Sequence, residues 1–446
     1  MKNDRDYRPI ILFGIILFFI LFVGLFTPIR DKISFRVENL KNRLYMLSNS
    51  PADTVFVPQG GEESIPMLSQ TAEETHTPTI TMTMTVPPTE TAVSVTPAAT
   101  ATPTLKPTAT ITPTPLPESA HIDGVKYEDQ HGIWNYCAPT NLSMALTFWG
   151  WKGNRLDAGK WLKPFDKDKN VMFYEMENFV AEQTPLRSIV RSGGTPELLK
   201  KLIAAGFPIL IEKGSFMQEV SGAYSWMGHY NVITGYNDAT QIWTVQDSYY
   251  KPNYEVTYET LYKEWKCFNF EFMIVYPGDK EAELYSLLGP YVNSDWAKQN
   301  AFEMANNQVA EAQDDESRFY AYFNRGTSQV ALTDYYGAAQ SYDMAFSYYA
   351  NLDTKTRPYR IVWYQTGPYY AYYYSGRYQD VINLANITLA STNEPYLEES
   401  YYWRAMAEAA LGEFESAQAD VQSCLDIHPG FVACSSLSAE IGMGGS

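Results

Sequence analysis

Four residues of this chain have the types and the order that acyl chemistry at a thiol requires: Gln130, Cys137, His229 and Asp247. A cysteine attacks an acyl carbon as its thiolate, and a histidine within reach can take and return the thiol proton. A carboxylate can orient the imidazole, and a side-chain amide can join the cysteine N–H group in an oxyanion hole. These residues are therefore candidates for nucleophile, base, orienting group and oxyanion donor.

The sequence after Cys137 predicts that its sulfur lies at the first turn of a helix. Ala138 and Pro139 follow directly, and an apolar pattern continues to Leu146. At a helix N-terminus the dipole and the free N–H groups favour a thiolate. A single cysteine in such a place is more often a buried structural thiol, so the functional interpretation depends on the other three residues.

His229 and Asp247 belong to two neighbouring strand patterns. The segments His229–Asn237 (HYNVITGYN) and Gln241–Tyr249 (QIWTVQDSY) both predict strands. The histidine is expected at the start of the first strand and the aspartate at the end of the second. Because adjacent strands can bring these two side chains together, the pattern predicts an imidazole that is oriented by a carboxylate.

The sequence between these motifs alternates helix and strand patterns. Thr195 can cap a helix, Pro196 suits its first turn, and Gly206 is expected to end it. Phe207–Glu212 (FPILIE) then predicts a buried strand. We therefore expect an α+β domain over residues 118–277.

Residues 120–277 resemble the cysteine peptidase-like family related to the bacteriocin-processing, double-glycine-leader peptidases, a branch of the papain superfamily. The resemblance rests on the segments LLKKLIAAGFPILIE, GHYNVITGYN and VQDSY. It implies a papain-like fold and cleavage of peptide bonds by the four residues in the roles given above. Ala138 stands where the family usually has Gly, and the phosphate-binding loop of the exporter-linked members is missing from the sequence, so leader removal is not implied.

Two other functions remain open at this stage. The same triad could act as an acyltransferase or an amidase, since a thioester intermediate can pass its acyl group to an amine or to water. The scaffold could also capture peptides without cleaving them. The intact set of Cys137, His229 and Asp247 favours catalysis, because a binding cleft would not require all three.

The remaining reactive side chains predict no second site. His131 is expected to be a surface histidine, and the other histidines are scattered: His76, His121 and His428. No metal cluster and no cofactor is expected. Cys424 and Cys434 could form a disulfide in an oxidising compartment, which the sequence leaves open. The net charge of −18 makes nucleic acid a poor partner, because phosphate binding needs a basic face.

Residues 281–446 show a helical pattern that repeats. Three segments share a small-residue turn, an aromatic residue and further small residues, and the aromatic residues are Tyr335, Tyr378 and Phe414. Such segments resemble tetratricopeptide repeats, which are helical pairs of about 34 residues. We therefore expect an all-α domain of the tetratricopeptide type that binds a protein partner. An ordinary helical bundle is the alternative.

The N-terminal part of the chain predicts attachment to a membrane. After a short tail (1–9), residues 10–28 are apolar and about long enough to cross a bilayer core of about 30 Å as a helix. A cleaved signal peptide is the alternative. Residues 29–74 form a juxtamembrane segment, and residues 75–117 form a Thr- and Pro-rich spacer that cannot bury a core. We expect a single transmembrane helix with the folded domains outside the cytoplasm.

Overall fold

The computed structural model describes residues 50–60, 115–218 and 224–444, together with five single residues further upstream: Val37, Leu40, Lys41, Leu44 and Tyr45. The predicted membrane anchor and most of the predicted spacer lie outside the described residues. Within the described ranges, no helix combines the length and the apolar character that a membrane span requires. The described residues from 50 to 59 and from 116 onward belong to one compact unit.

The first part of this unit contains a seven-stranded antiparallel sheet. Six strands follow the order β2-β7-β3-β4-β5-β6, and β1 pairs with β4. Their bounds are β1 Ser119–His121, β2 Arg187–Arg191, β3 Ile209–Gln218, β4 Tyr224–Asn237, β5 Ile242–Asp247, β6 Lys251–Thr257 and β7 Phe272–Tyr276. The helices beside the sheet are α1 Cys137–Phe148, α2 Arg155–Leu162, α3 Phe173–Gln183, α4 Pro196–Ala204 and α5 Tyr258–Lys266.

The helices form two separate apolar cores with the sheet. One core joins α1, α2 and α3 to side chains such as Leu210 and Val232. The other joins α4 and α5 to Ile211 and Ile233. Each of these isoleucines is the next residue along the strand after Leu210 or Val232. Because successive side chains of a strand point to opposite faces, β3 and β4 serve both cores. These two strands are therefore covered on both faces in the centre of the domain, where β3 carries the apolar residues Ile209–Ile211 and β4 carries Val232 and Ile233.

Local sequence signals are realised around α4, whereas β3 and β4 are longer than predicted. The Thr195 hydroxyl accepts a hydrogen bond from the N–H of Leu198 at 3.2 Å, and Gly206 after the helix has a φ of +86°. The prediction for β3 ended at Glu212, but residues 213–218 continue it as a hairpin paired with residues 224–229. His229 therefore lies inside β4 and not at its start.

The second part of the unit is helical. Its helices are α6 Glu281–Leu288, α7 Ser294–Glu311, α8 Asp315–Ala331, α9 Tyr335–Tyr349, α10 Ile361–Tyr364, α11 Gly367–Tyr374, α12 Tyr378–Ala390, α13 Glu398–Ala410, α14 Phe414–Ile427 and α15 Val432–Gly444. Single turns of 3-10 helix occupy Pro51–Asp53, Gly278–Lys280 and Gly289–Val292. Three of the helices begin at the aromatic residues that define the sequence repeat, Tyr335, Tyr378 and Phe414. Each of these helices follows a short turn after a preceding helix, which fits the repeat prediction.

Close packing inside these helical pairs depends on small residues. A Cβ atom on Gly326 of α8 would lie 2.9 Å from the ring of Tyr342 on α9, so only glycine allows the two helices to approach this closely. At the other end of the region, Cys424 of α14 and Cys434 of α15 form a disulfide. The bridge that the sequence left open is therefore present, and it fastens the last helix to the one before it.

A segment from the N-terminal part of the chain packs into the helical region. Phe56 is 3% exposed and contacts the rings of Phe346 and Tyr372 at 4.9 and 5.8 Å between centroids. Nη1 of Arg357 donates to the carbonyl of Ala52 at 2.7 Å. The phenylalanine is therefore a core residue of the helical region, although it lies 225 positions before Glu281, where that region begins.

Replacing Phe56 by Ala should destabilise the protein by about 3–5 kcal/mol, because removing a buried ring loses its transfer free energy and leaves a cavity. Val57→Ala is the matched control, since Val57 is 67% exposed and surface substitutions usually stay within about 0.5 kcal/mol. Urea denaturation of both variants, followed by tryptophan fluorescence, measures the difference. Equal stability of the two variants would show that the segment does not belong to the core.

Candidate active site

Cys137 is the first residue of α1, and the backbone before it turns sharply. Asn135 has a φ of 48°, a left-handed conformation that asparagine adopts more readily than most residues. Its side-chain Nδ2 donates to the carbonyl of Asp168 at 2.8 Å and so holds the turn. Cys137 keeps part of its surface exposed, whereas residues 138–146 are buried. The thiol therefore stands at the positive end of a helix that the core holds in place.

His229 of β4 and Asp247 at the end of β5 form a buried pair. Nε2 of His229 lies 2.9 Å from Oδ1 of Asp247, and the two side chains are 2% and 0% exposed. The same Oδ1 accepts hydrogen bonds from the backbone N–H groups of Tyr249 and Tyr250, at 2.9 and 3.1 Å. The turn after β5 thus fixes the carboxylate, and the carboxylate fixes the imidazole.

The opposite charges of His229 and Asp247 shift the pKa values of both side chains. Burial lowers the pKa of His229, but the charge and the hydrogen bond of Asp247, together with a hydrogen bond to Cys137, outweigh burial and raise it to about 9. Burial also acts to raise the pKa of Asp247, yet the positive charge and hydrogen bond of His229, followed by the charge of Lys213, hold it below its usual value. Because Asp247 occupies Nε2, Nδ1 is the ring nitrogen left for the thiol.

Gln130 is held beside these residues by a chain of hydrogen bonds. The Ser248 hydroxyl donates to Oε1 of Gln130 at 2.7 Å and accepts from Nδ2 of Asn141 at 2.8 Å. Nδ2 of Asn141 also donates to the carbonyl of Cys137 at 2.9 Å. Because Oε1 of Gln130 accepts from Ser248, the NH₂ group is the part of this amide that can act as a donor. The structure therefore brings together all four residues that the sequence predicted.

Four further residues support the site and were not part of the sequence prediction. Ser248 and Asn141 are the positioning residues just described. Nζ of Lys163 donates to the carbonyl of Trp134, three residues before the nucleophile, and to that of Asp166 at 3.0 Å. Lys213 of β3 lies opposite His229 of β4 in the sheet register, and its Nζ donates to Oε2 of Glu264 at 2.8 Å. Ser248 directly follows Asp247 in the sequence, so its polar side chain beside a predicted site residue was a signal that could have been used. Lys163 and Lys213 have no local sequence signal that links them to the site.

The remaining histidines and cysteines are not part of the hydrogen-bonded arrangement just described. His131 is exposed and pairs with Asp129 at 2.6 Å, and its ring packs against that of Tyr249. Cys267 is buried, and burial raises the pKa of its thiol to about 12. In the described part of the chain no three His, Cys, Asp or Glu side chains are grouped as metal ligands would be. Of the free thiols, Cys137 is the one that solvent reaches.

Asp247→Asn should lower the pKa of the His229 imidazole from about 9, because the amide keeps a polar partner of similar shape but loses the charge that offsets burial. Titration of the ring signals by NMR measures this shift, with His229→Ala to assign them. Asp123→Asn is the matched control, since Asp123 pairs with His121 at 3.5 Å at an exposed position. A His229 titration that is the same in Asp247→Asn and in wild type would contradict the assigned electrostatics.

The sequence of residues 122–272 matches the family described as Peptidase_C39 like family. No curated protein matches the chain. A crystal structure from Bacillus anthracis that bears the name of a C39-like peptidase is similar at 16% identity and a TM-score of 0.30, over 36% of this chain and 98% of that one. A likeness this distant adds no argument to the family match. Residues 122–272 thus form an α+β domain of the peptidase C39-like type, and a helical region follows it along the chain.

Proposed function

We propose that this protein is a cysteine peptidase in which Cys137, His229 and Asp247 act as a catalytic triad. The observation that carries the proposal is the buried pair of His229 and Asp247, 2.9 Å apart, beside a thiol at the N-terminus of α1. A carboxylate that fixes and charges an imidazole next to a thiol is the arrangement that nucleophilic catalysis needs. The family match supports peptide bonds as the substrate.

In the proposed reaction, His229 takes the thiol proton and the Cys137 thiolate attacks the carbonyl carbon of the scissile bond. The N–H of Cys137 and Nε2 of Gln130 stabilise the oxyanion that develops. The tetrahedral intermediate collapses when His229 gives its proton to the leaving amine, which departs and leaves a thioester on Cys137. Water, deprotonated by His229, then attacks the thioester. The C–S bond breaks, the acid is released, and the Cys137 thiolate regains its proton from His229, which restores the starting state.

We also propose that the domains lie outside the cytoplasm on a single N-terminal membrane anchor. The apolar sequence of residues 10–28 supports the anchor. The Cys424–Cys434 disulfide supports an oxidising compartment, because such bonds persist there and are rare in the cytosol. In this proposal the helical region, with its pairs of the tetratricopeptide kind, binds a protein partner or positions the substrate.

Iodoacetamide should alkylate Cys137 of the full chain much faster than an ordinary thiol, and His229→Ala should slow the reaction, because the imidazolium stabilises the thiolate. Cys267 is an internal control that should stay unmodified, since burial raises its pKa to about 12. Mass spectrometry of the digested protein resolves the two sites. An ordinary rate at Cys137 that His229→Ala leaves unchanged would contradict the proposal.

A peptide mixture incubated with the full chain should gain new chain ends by mass spectrometry, and the Cys137→Ala variant should produce none. Products joined to an added amine would instead identify an acyltransferase. If the peptides stay intact although iodoacetamide alkylates Cys137 rapidly in a separate assay, the result would count against peptidase activity. It would leave the proposed reactivity of the thiol in place.

Gln130→Ala should lower kcat for peptide cleavage by about 10²–10³-fold, the usual effect of losing one oxyanion donor. Alkylation of Cys137 by iodoacetamide should keep its rate, because that displacement develops no oxyanion. Gln299→Ala, at an exposed position of α7, is the control and should change neither rate. If Gln130→Ala slowed both reactions equally, the amide would support the fold of the site and would not bind the oxyanion.

A further inference from the structure

A group of positive charges lies where the loop after α2 meets the helical region. We call it the cationic cluster, and its members are Lys163, Lys167, Lys169 and Arg360. The charges that act most strongly on the ammonium group of Lys169 come from the three other members, against one negative charge, from Glu394. The net charge of the chain is −18, so a local excess of positive charge stands out against the rest of the protein.

Three members of the cationic cluster are held in place by polar contacts. Nζ of Lys163 donates to two backbone carbonyl groups. Lys167 pairs with Glu394 at 2.7 Å. Nη1 of Arg360, the residue before α10, donates to the hydroxyl of Ser225 at 2.8 Å. These contacts fix three positive charges around the fourth.

Lys169, the fourth member, lies against aromatic rings. Its Nζ is 5.6 Å from the ring centroid of Trp363 and 5.9 Å from that of Tyr396, both within cation–π range. Among the described residues, no carboxylate pairs with this ammonium group and no oxygen accepts a hydrogen bond from it.

The surroundings of Lys169 favour the binding of an anion. Burial, followed by the charge of Arg360, lowers the pKa of Lys169 to about 8, so the group still carries its proton at neutral pH. Its side chain is only half-buried, so a ligand can reach it. An anion would offset the cost of desolvating the ammonium group and the repulsion from the other cations.

The loop that carries Lys169 is tied to the turn before the nucleophile. The carbonyl of Asp168, directly before Lys169, accepts a hydrogen bond at 2.8 Å from Nδ2 of Asn135, two residues before Cys137. The negative charge of Cys137 also acts on the ammonium group of Lys163. An extended peptide advances about 3.3–3.6 Å per residue. The cationic cluster is therefore within a few peptide residues of a bond held at the thiol.

We propose that Lys169 binds a carboxylate of the peptide substrate, so that the protein selects peptides with an acidic side chain or a free C-terminus near the scissile bond. This inference rests on the proposed peptidase function. The ammonium group belongs to the catalytic domain, whereas Trp363 and Tyr396, which pack against it, belong to the helical region. The helical region thereby takes part in choosing the substrate.

Protection of Lys169 from acylation tests the binding directly. The full chain with Cys137→Ala, which cannot cleave, is treated with N-hydroxysuccinimidyl acetate, and mass spectrometry gives the acylation rate at each lysine. The probes are acetyl-trialanine, its amide, and the amides of acetyl-Ala-Glu-Ala and acetyl-Ala-Gln-Ala. At saturation we expect at least one carboxylate peptide to slow acylation of Lys169 about tenfold, since a charged hydrogen bond is worth that much. The two neutral peptides should have no effect.

Lys263, which is 72% exposed on α5, is the internal control and should react at one rate throughout. Protection by acetyl-trialanine alone identifies a C-terminal carboxylate as the ligand, and protection by the glutamate peptide alone identifies an acidic side chain. If no carboxylate peptide protects Lys169, the proposal is wrong. Equal protection by the neutral peptides would also overturn it, because simple steric cover does not depend on charge.

Lys169→Gln should raise KM for cleavage of carboxylate peptides about tenfold and leave neutral peptides unchanged, whereas Lys263→Gln should change neither. Iodoacetamide is uncharged and should alkylate Cys137 at the wild-type rate in both variants, which shows that their sites are intact. An ordinary iodoacetamide rate in the wild type would contradict the proposed thiol chemistry. Rapid alkylation together with an unprotected Lys169 would contradict only the carboxylate site.

Discussion

The hydrogen bond between Nε2 of His229 and Oδ1 of Asp247 is the interaction on which the site depends. Both groups are buried, and a buried charge that loses its partner is strongly destabilising. The pair forms only if β4 and β5 keep their observed register, in which Val232 lies opposite Gln246. The turn after β5 then supplies two backbone N–H groups to the same oxygen. The sheet register and the turn after β5 together fix the carboxylate of Asp247, and this carboxylate orients and charges the imidazole of His229. The same constraint therefore gives Cys137 a charged imidazole as its neighbour.

The positions of Cys137 and Asp247 in the fold were predictable from the sequence because they depend on residue types in local patterns. The helix start at Cys137, the cap at Thr195 and the strand end at Asp247 all follow from short-range rules. Packing of the sheet against the helical region was not predictable. The hairpin extension of β3 and β4 pairs residues 213–218 with 224–229, and it packs against α10 of the helical region. No hydrophobic periodicity in the hairpin or in α10 predicts that the two pack together.

The segment around Phe56 changes the interpretation of the Thr- and Pro-rich spacer. The sequence predicts a spacer over residues 75–117, yet Gln59 before the spacer and Leu116 near its end belong to the same compact unit. The backbone N–H of Gln59 donates to Asp380 at 2.7 Å, which continues the contact made by Phe56. The length of the spacer therefore does not set the distance between the folded unit and the proposed anchor.

The pH dependence of kcat/KM for peptide cleavage tests the account most directly, because it reports the ionisations of the free enzyme that matter for catalysis. The raised pKa of His229 predicts that activity falls on the alkaline side near pH 9, where the imidazolium loses its proton. Below that pH the proton remains available for the leaving amine. An alkaline limb near the ordinary histidine value of about 6.5 would show that Asp247 does not charge His229, and the central constraint would be wrong.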